Sequence, residues 1–355
     1  MSNIKKIQES LAGAEIDALL LVSPVNRLYA TGFHSSDGAV VITRDKAFFI
    51  TDSRYIEAAE KAVRDARVLL SHTEKRIIQW LQEIIASCGI KALGAEEESL
   101  SYSEYLNLEK KLNMKLKPSQ SIMKKLRAGK SRQELENIKA AQAIAERAFQ
   151  DVLGMIRPGV TEREIAAELT YRMLKYGGEG NAFDPIVVAG KKSSMPHGVP
   201  GDEVIQKGDF VTMDFGCIKN GYCSDMTRTV AVGSVTGEMR RVYEVVLAAQ
   251  EAGISAARAG VTGEEIDAAA RKVIEEAGYG RYFGHSFGHS LGLEVHETPS
   301  AAPKVRDEMP EGAVISAEPG IYIPGGFGVR IEDILYLTAQ GAENITKAPK
   351  ELIIL

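Results

Sequence analysis

The sequence has few cysteines and no long hydrophobic runs. Three cysteines, Cys88, Cys217 and Cys223, are spread over 355 residues, and no two of them form a C-x-x-C pair. A disulfide framework is therefore excluded, and a reducing cytoplasm is the expected location. Apolar runs such as residues 18–22 fall far short of the ~18 residues that a membrane-spanning helix needs.

A surplus of basic residues is also absent. Lysine and arginine number 43 against 48 aspartate and glutamate, a net charge of -5, which argues against a nucleic-acid partner. Residues 1–10 lack the apolar segment of a signal peptide. With 45% hydrophobic and 26% charged residues, the composition is that of a globular chain with about two domains.

The first third alternates short strand and helix patterns. Apolar runs at 39–43 and 47–51 flank the polar turn 44–46, which predicts a hairpin, and Asp52 or Ser53 is expected to cap a following helix. The basic, weakly apolar stretch 124–130 is interpreted as a linker. We therefore expect a small α/β domain over residues 1–125 and a second domain over residues 126–355.

The second domain contains an internal repeat. A helix pattern, a break of the form R-x-G-V, a T-x-x-E capping box and a second helix pattern occur at 157–164 and again at 258–265. Capping boxes recur by chance, but here the whole order recurs. This indicates two pseudo-symmetric α-β halves with a site between them.

Asp214 and Asp225 lie in two strand patterns that are joined by Asn220-Gly221, a strong hairpin signal. With a loop of even length, the two carboxylates face the same side, directly opposed or diagonal, within ~8 Å. Two such carboxylates among apolar residues repel each other unless a cation joins them. The alternative is that one of them is a turn residue and the other is exposed.

Half of the six histidines fall within residues 284–297, namely His285, His289 and His296, and His197 lies in a separate turn. A single histidine is usually a structural hydrogen-bonding group, but this concentration favours a site. Glu318 ends an apolar strand pattern, while Arg330 and Glu332 share one face of another. Asp333 is expected to support the site from behind or to be solvated.

Four carboxylates and one imidazole carry about four negative charges, which two divalent ions would balance. Oxygen-rich ligation favours Mn²⁺, although Co²⁺ or Zn²⁺ would also bind. Two such ions hold and activate a water molecule and polarise a carbonyl, which is the machinery of hydrolysis.

The order Asp214, Asp225, His289, Glu318, Glu332 resembles that of the pita-bread metallopeptidases, which include methionine aminopeptidase, prolidase and aminopeptidase P. The N-terminal third, with residues 52–55, resembles the creatinase/prolidase N-terminal domain. The resemblance covers essentially the whole chain. It implies an α/β fold with a pita-bread catalytic domain, and hydrolysis of the bond between an N-terminal residue and proline in Xaa-Pro dipeptides or longer peptides.

The resemblance also implies residue roles. Asp214 would hold one ion, His289 and Glu318 the other, and Asp225 and Glu332 would bridge both. Glu318 would also transfer the proton. His197 and His296 would contact the substrate and its oxyanion, Arg330 would orient them, and His285 would line the proline pocket. The family further implies a homodimer.

Two alternatives stay open at this point. A non-catalytic peptide- or protein-binding member of the same fold would be indicated by loss of the ligands, and all five are present. Ser121 and Lys124 match the S-x-x-K pattern of some serine hydrolases but lack companion motifs. Ser300 stands where many small prolidases carry arginine, which leaves the choice between dipeptides and longer peptides open.

Overall fold

The computed structural model describes residues 2–355, and the chain divides into two compact units between Arg127 and Ala128. The division falls within the stretch 124–130, but the expectation of a linker there is wrong because helix Gln120–Ala128 occupies it. Met123 is fully buried, so this segment has an apolar face that packs. None of the helices in residues 2–355 has the length and apolar character needed to cross a lipid bilayer.

The first unit is built on one mixed six-stranded sheet of order β4-β3-β2-β1-β5-β6. Its elements are α1 (Asn3–Ser10), β1 (Ala18–Leu21), α2 (Pro24–Thr31), β2 (Ala39–Thr43), β3 (Ala47–Thr51), α3 (Ile56–Ala62), β4 (Arg67–Leu70), α4 (Ile77–Cys88), β5 (Leu93–Ala95), α5 (Tyr102–Leu112), β6 (Leu116–Pro118) and α6 (Gln120–Ala128). Leu20 and Val41 of the sheet share a buried core with Leu81 and Ile84 of α4.

The predicted hairpin of the first unit is confirmed, since β2 and β3 pair antiparallel. The predicted helix cap is wrong. Helix α3 begins after Tyr55, and its first turn has no side-chain cap. The Oδ1 atom of Asp52 instead accepts a hydrogen bond from the Arg54 amide at 2.8 Å, which closes a local turn ahead of the helix.

The second unit packs four long helices on short antiparallel strands. Its elements are α7 (Arg132–Leu153), α8 (Glu162–Lys175), β7 (Gly180–Asn181), β8 (Ile186–Ala189), β9 (Phe210–Phe215), β10 (Cys217–Lys219), β11 (Tyr222–Cys223), β12 (Met226–Ala231), α9 (Gly237–Ala256), α10 (Gly263–Glu276), β13 (Gly288–Ser290), β14 (Glu297–Ala301), β15 (Val314–Ala317), β16 (Gly320–Tyr322), β17 (Gly328–Arg330), β18 (Asp333–Thr338) and β19 (Gly341–Asn344). The sheet β12-β9-β8 belongs to the first half, and the sheet β14-β13-β15-β18-β19 belongs to the second.

The internal repeat is present in three dimensions. Helices α8 and α10 both begin with a complete capping box, at Thr161 and Thr262. In each half a glycine with positive φ precedes the box and donates its amide to a distant carbonyl, Gly159 to Ile205 at 3.1 Å and Gly260 to Met309 at 2.9 Å. The second unit therefore consists of two α-β halves with matching local structure.

Candidate metal centre

Asp214 and Asp225 lie on the hairpin that the sequence predicts. Asn220 and Gly221 at its turn have φ values of 51° and 78°, as a type I′ turn requires. Asp214 pairs with Thr227 across β9 and β12. Asp225 comes two residues before Thr227 and is therefore the diagonal neighbour of Asp214 on the same face. Asp225 is 4% exposed, so it is not a solvated residue.

The second half supplies the remaining donors from three separate backbone segments. His289 lies in β13, which is paired with β15 through Ser290 and Ile315, and Glu318 follows directly after β15. Glu332 lies between β17 and β18, and its amide donates to the Thr227 carbonyl at 3.1 Å. That bond ties the segment that carries Glu332 to the hairpin that carries the two aspartates.

All nine site residues that the sequence predicts line one cavity of about 650 Å³ in the second unit. They are His197, Asp214, Asp225, His285, His289, His296, Glu318, Arg330 and Glu332. One ligand atom each of Asp225, His289 and Glu332 lies within 4.8 Å of the other two, so these three side chains could hold a metal ion. His289 Nε2 is 3.3 Å from Glu318 Oε1 and 3.7 Å from Asp225 Oδ2.

The protein's own charges do not balance at this cluster. Burial raises the pKa of Asp225 well above its usual range, and the nearby Asp214 carboxylate raises it further. Burial likewise raises the pKa of Glu332 well above its usual range, with Asp225 as the main charged neighbour. Such shifts show that the pocket disfavours so many negative charges without a compensating cation.

Glu318 and His289 form the favourable pair of the cluster. Burial works against the charged form of both, but their hydrogen bond outweighs it, so that the pKa of Glu318 falls to about 2 and that of His289 rises to about 9. Ser316 Oγ donates to Glu318 Oε1 at 3.0 Å and accepts from the His289 amide at 3.0 Å. A single hydroxyl therefore positions both groups.

Two further observations indicate that these donors fit a divalent cation. Among the side chains that the structure describes, Asp214 Oδ1 is one of the few buried polar atoms without a hydrogen-bond partner. His289 Nδ1 lies 3.2 Å from the Ser290 carbonyl and donates to it, so Nε2 is the nitrogen that faces the carboxylates and that a cation would bind in place of its proton. Asp214 Oδ1, which has no hydrogen-bond partner, and His289 Nε2, which faces the carboxylates, are therefore suitable ligands for a cation.

Arg330 differs from its expected role. Instead of orienting His197 and His296, its guanidinium donates to Asp214 Oδ2 at 2.6 Å, to Thr227 Oγ1 at 3.1 Å and to Tyr322 Oη at 2.8 Å. Its remaining contact is the Pro196 carbonyl at 3.4 Å. Arg330 therefore fixes a proposed ligand and the site wall, and it reaches the turn of His197 only through the backbone.

Two residues of the site, Tyr322 and Thr227, were not anticipated from the sequence. Tyr322 Oη lies 2.9 Å from His285 Nε2 and accepts from Arg330, so it links the two side chains. Thr227 Oγ1 donates to Glu332 Oε2 at 2.7 Å while it accepts from Arg330. The signal for Thr227 is its position two residues after Asp225, which places it on the same strand face.

The remaining histidines occupy different places around the cluster. The rings of His289 and His296 are in T-shaped contact with centroids 4.4 Å apart, so His296 is beside the proposed ligand. His197 lies in an exposed turn at the cavity wall. His285 is largely buried, and burial lowers its pKa.

Of the two expectations for Asp333, support of the site from behind is confirmed and solvation is wrong. It is 1% exposed and forms a 2.8 Å ion pair with Arg228, which also donates to the Glu332 carbonyl at 2.6 Å. The pair therefore lies behind the backbone of Glu332. Ser121 and Lys124, by contrast, lie on α6, where Lys124 pairs with Glu98 on the surface, so the S-x-x-K match is not part of this site.

Two known protein families match the chain over most of its length. The sequence profile of Metallopeptidase family M24 matches residues 136–339, and that of the Creatinase/Prolidase N-terminal domain matches residues 3–128. An Xaa-Pro dipeptidase of Pyrococcus furiosus is 38% identical over 353 residues, which cover 99% of both chains.

Solved structures show the same similarity. The Xaa-Pro dipeptidase from Bacillus anthracis is 43% identical, superimposes with a TM-score of 0.96 and is matched over 99% of both chains. The X-Pro aminopeptidase from Thermotoga maritima is 38% identical with a TM-score of 0.92, over 98% of this chain and 100% of that one. Relatives described as dipeptidase and as aminopeptidase are therefore comparably similar.

Proposed function

The chain belongs to metallopeptidase family M24 and is a metallopeptidase of the pita-bread fold, and from this premise we propose that it hydrolyses the bond between an N-terminal residue and proline. The observation that carries the proposal is the convergence of the Asp225, His289 and Glu332 donor atoms within 4.8 Å, with Asp214 and Glu318 in the same cavity. The named activities of its relatives supply the substrate class.

We propose that Asp214 would hold one divalent cation, that His289 and Glu318 would hold a second, and that Asp225 and Glu332 would be shared between them. Bound there, the two ions would supply an activated water molecule and a Lewis acid for the scissile carbonyl. The oxygen-rich donor set supports Mn²⁺, with Co²⁺ and Zn²⁺ as alternatives.

The protein's own groups complete the reaction. Glu318 accepts the proton of the attacking water and delivers it to the proline nitrogen as the C–N bond breaks. His296, in ring contact with His289, and His197 donate hydrogen bonds to the carbonyl oxygen as its negative charge develops. Arg330 orients Asp214 and favours its ionised form, while burial raises the pKa of that carboxyl.

The proline preference is supported by an apolar wall of the cavity that includes Phe183, Pro185 and Ile186. Proline lacks an N–H, so such a wall leaves no donor unsatisfied, and its rigid ring loses little entropy on binding. The resemblance also supports a homodimer, which sedimentation analysis would test. The cytoplasmic location stays a prediction.

The test compares Ala-Pro-Ala with Ala-Ala-Ala as substrates of the protein loaded with Mn²⁺ or Co²⁺. We expect clear hydrolysis of the proline peptide alone, and we expect His296→Ala to lower kcat more than it raises KM, because its contact forms in the transition state. Equal kcat/KM for the two peptides, or a His296→Ala defect confined to KM, would reject this assignment of the pocket.

A further inference from the structure

We propose that the cavity selects peptides that continue beyond the proline over free Xaa-Pro dipeptides, because its lining offers no free positive charge to a terminal carboxylate. This inference rests on the function proposed above and narrows its substrate class. A dipeptide places its carboxylate directly beside the proline ring, within the cavity. A longer peptide places an uncharged amide there instead.

The permanent charges of the lining are almost all negative. Among the residues in the range 2–355 that line the cavity, six are carboxylates, and Arg330 alone is permanently cationic. Arg330 is 3% exposed, and its guanidinium is already directed at Asp214, Thr227, Tyr322 and the Pro196 carbonyl. Its charge is therefore committed to the wall and not offered to substrate.

The cations proposed for the site leave no positive charge over for the substrate's carboxylate. Two divalent ions would offset the four proposed acidic ligands. Glu297, also in the lining, forms a buried 3.0 Å ion pair with Lys130, whose charge is thereby spent. Of the charges that remain, Asp184 is exposed and negative, and the positive Arg330 is buried and already paired, so the lining has no free positive charge with which to attract a terminal carboxylate.

His285 is also engaged. Its Nε2 accepts from Tyr322 Oη at 2.9 Å, because that hydroxyl already accepts from Arg330, and its Nδ1 donates to the Ser286 carbonyl at 2.9 Å. Neither ring nitrogen is left to bind a carboxylate. Ser300, half-buried in the lining, offers a hydroxyl without charge.

The edge of the cavity is suited to a peptide substrate that continues beyond its proline. Val199 lines the cavity but is itself 76% exposed, and its neighbour Pro200 is also part of the lining. An exposed apolar side chain at this place would be covered by the residue after the proline. The lack of a free positive charge and the apolar edge therefore favour the same class of substrate.

The first experiment measures kcat/KM of the full-length, metal-loaded protein for Ala-Pro, Ala-Pro amide and Ala-Pro-Ala. The terminal carboxylate of Ala-Pro would be unpaired and partly desolvated in the cavity. We therefore expect kcat/KM for Ala-Pro to be at least about tenfold lower than for Ala-Pro amide and for Ala-Pro-Ala, which are both uncharged at that position. The amide separates charge from length, since it has the size of the dipeptide without its negative charge.

The second experiment uses Ser300→Arg with Ser300→Gln as its uncharged control of similar length. We expect the ratio of kcat/KM for Ala-Pro to that for Ala-Pro-Ala to rise at least about tenfold in Ser300→Arg and to stay near the wild-type ratio in Ser300→Gln. The first experiment uses only the wild-type protein, so it tests the preference for longer peptides even if a substitution at Ser300 prevents folding.

The outcomes are distinguishable. Hydrolysis of Ala-Pro as fast as that of the amide and the tripeptide would overturn this inference while the proposed Xaa-Pro activity stands. Hydrolysis of none of the three by protein with verified metal content would overturn the proposed function itself. Slow Ala-Pro with fast amide and tripeptide supports both.

Discussion

Arg330 Nη2 donates a 2.6 Å hydrogen bond to Asp214 Oδ2, while the other oxygen of that carboxylate, Oδ1, has no hydrogen-bond partner among the described residues. One face of the Asp214 carboxylate is therefore held by the protein, and the other is available to a cation. The same guanidinium contacts Thr227, which in turn donates to Glu332. Two proposed ligands thus share one positioning network.

Replacement of Arg330 tests this network. Arg330→Lys keeps the positive charge but cannot maintain the contacts to Asp214, Thr227 and Tyr322 at once. We expect metal affinity and kcat to fall by about 10- to 100-fold, as is typical when partners of metal ligands are changed. Competition with a chelator measures the affinity, and unchanged affinity and kcat in both Arg330→Lys and Arg330→Met would contradict the network.

The proposed sharing of Asp225 between two ions predicts an asymmetry between the aspartates. Asp225→Asn should lose at least one bound ion and reduce kcat by ~100-fold or more, because an amide cannot bridge two cations. Asp214→Asn is the matched change at a residue proposed to hold one ion, and it should reduce kcat less than Asp225→Asn does. Elemental analysis counts the ions, and a doubly loaded Asp225→Asn variant with near-normal turnover would refute the bridging role.

The pKa shifts predict how the stability of the chelated protein depends on pH. Burial raises the pKa of Asp225 and Glu332, and the bond to Glu318 holds the pKa of His289 at about 9, so the folded state binds more protons than the unfolded state. Stability should therefore fall as pH rises from about 4 through 9. Glu318, with its pKa near 2, adds stability that is lost only in stronger acid.

Divalent cations replace those protons, so the gain in Tm on adding Mn²⁺ should be larger at about pH 8 than at about pH 5. Thermal unfolding of chelated and loaded protein at both pH values measures the gain. Glu332→Gln removes one carboxyl whose pKa is raised, so the stability of the chelated protein should depend less on pH in this variant. A gain in Tm that is independent of pH would show that the cluster is not the binding site.

The ion pair of Arg228 with Asp333 predicts a large effect on stability. Both side chains are almost fully buried, at 2% and 1% exposed, and Arg228 also donates to the carbonyls of Ala348 and Pro349. Arg228→Met should lower the free energy of unfolding by about 3–5 kcal/mol, since Asp333 loses its principal partner. The exposed Arg163–Asp202 pair is the control, and Arg163→Met should cost less than about 1 kcal/mol in the same denaturant titration.

Local sequence signals predicted the features that depend on local structure. Asn220-Gly221 specifies a two-residue turn by itself, and the strand alternation then fixes the faces of Asp214 and Asp225. The capping boxes at Thr161 and Thr262 are also local, because each is closed by a glutamate three residues later. The fold class, and the grouping of the nine site residues in one cavity, followed from these signals together with the family resemblance.

The features that escaped prediction depend on contacts between distant segments. Arg228 and Asp333 are 105 residues apart in sequence, so nothing near Asp333 indicates that Arg228 is its partner. Tyr322 likewise reaches His285 from β16, 37 residues away in sequence. The stretch 124–130 was predicted to be a linker because it is rich in basic residues. It lies largely within a helix whose buried side carries Met123, just before the stretch begins.

The most direct test of the account is a titration of exhaustively chelated protein with Mn²⁺, in which hydrolysis of Ala-Pro-Ala and bound ions per chain are measured on the same samples. We predict no hydrolysis without metal and a rate that saturates when two ions are bound, as expected for four carboxylate ligands and His289. Full activity at a verified metal content near zero would contradict the account.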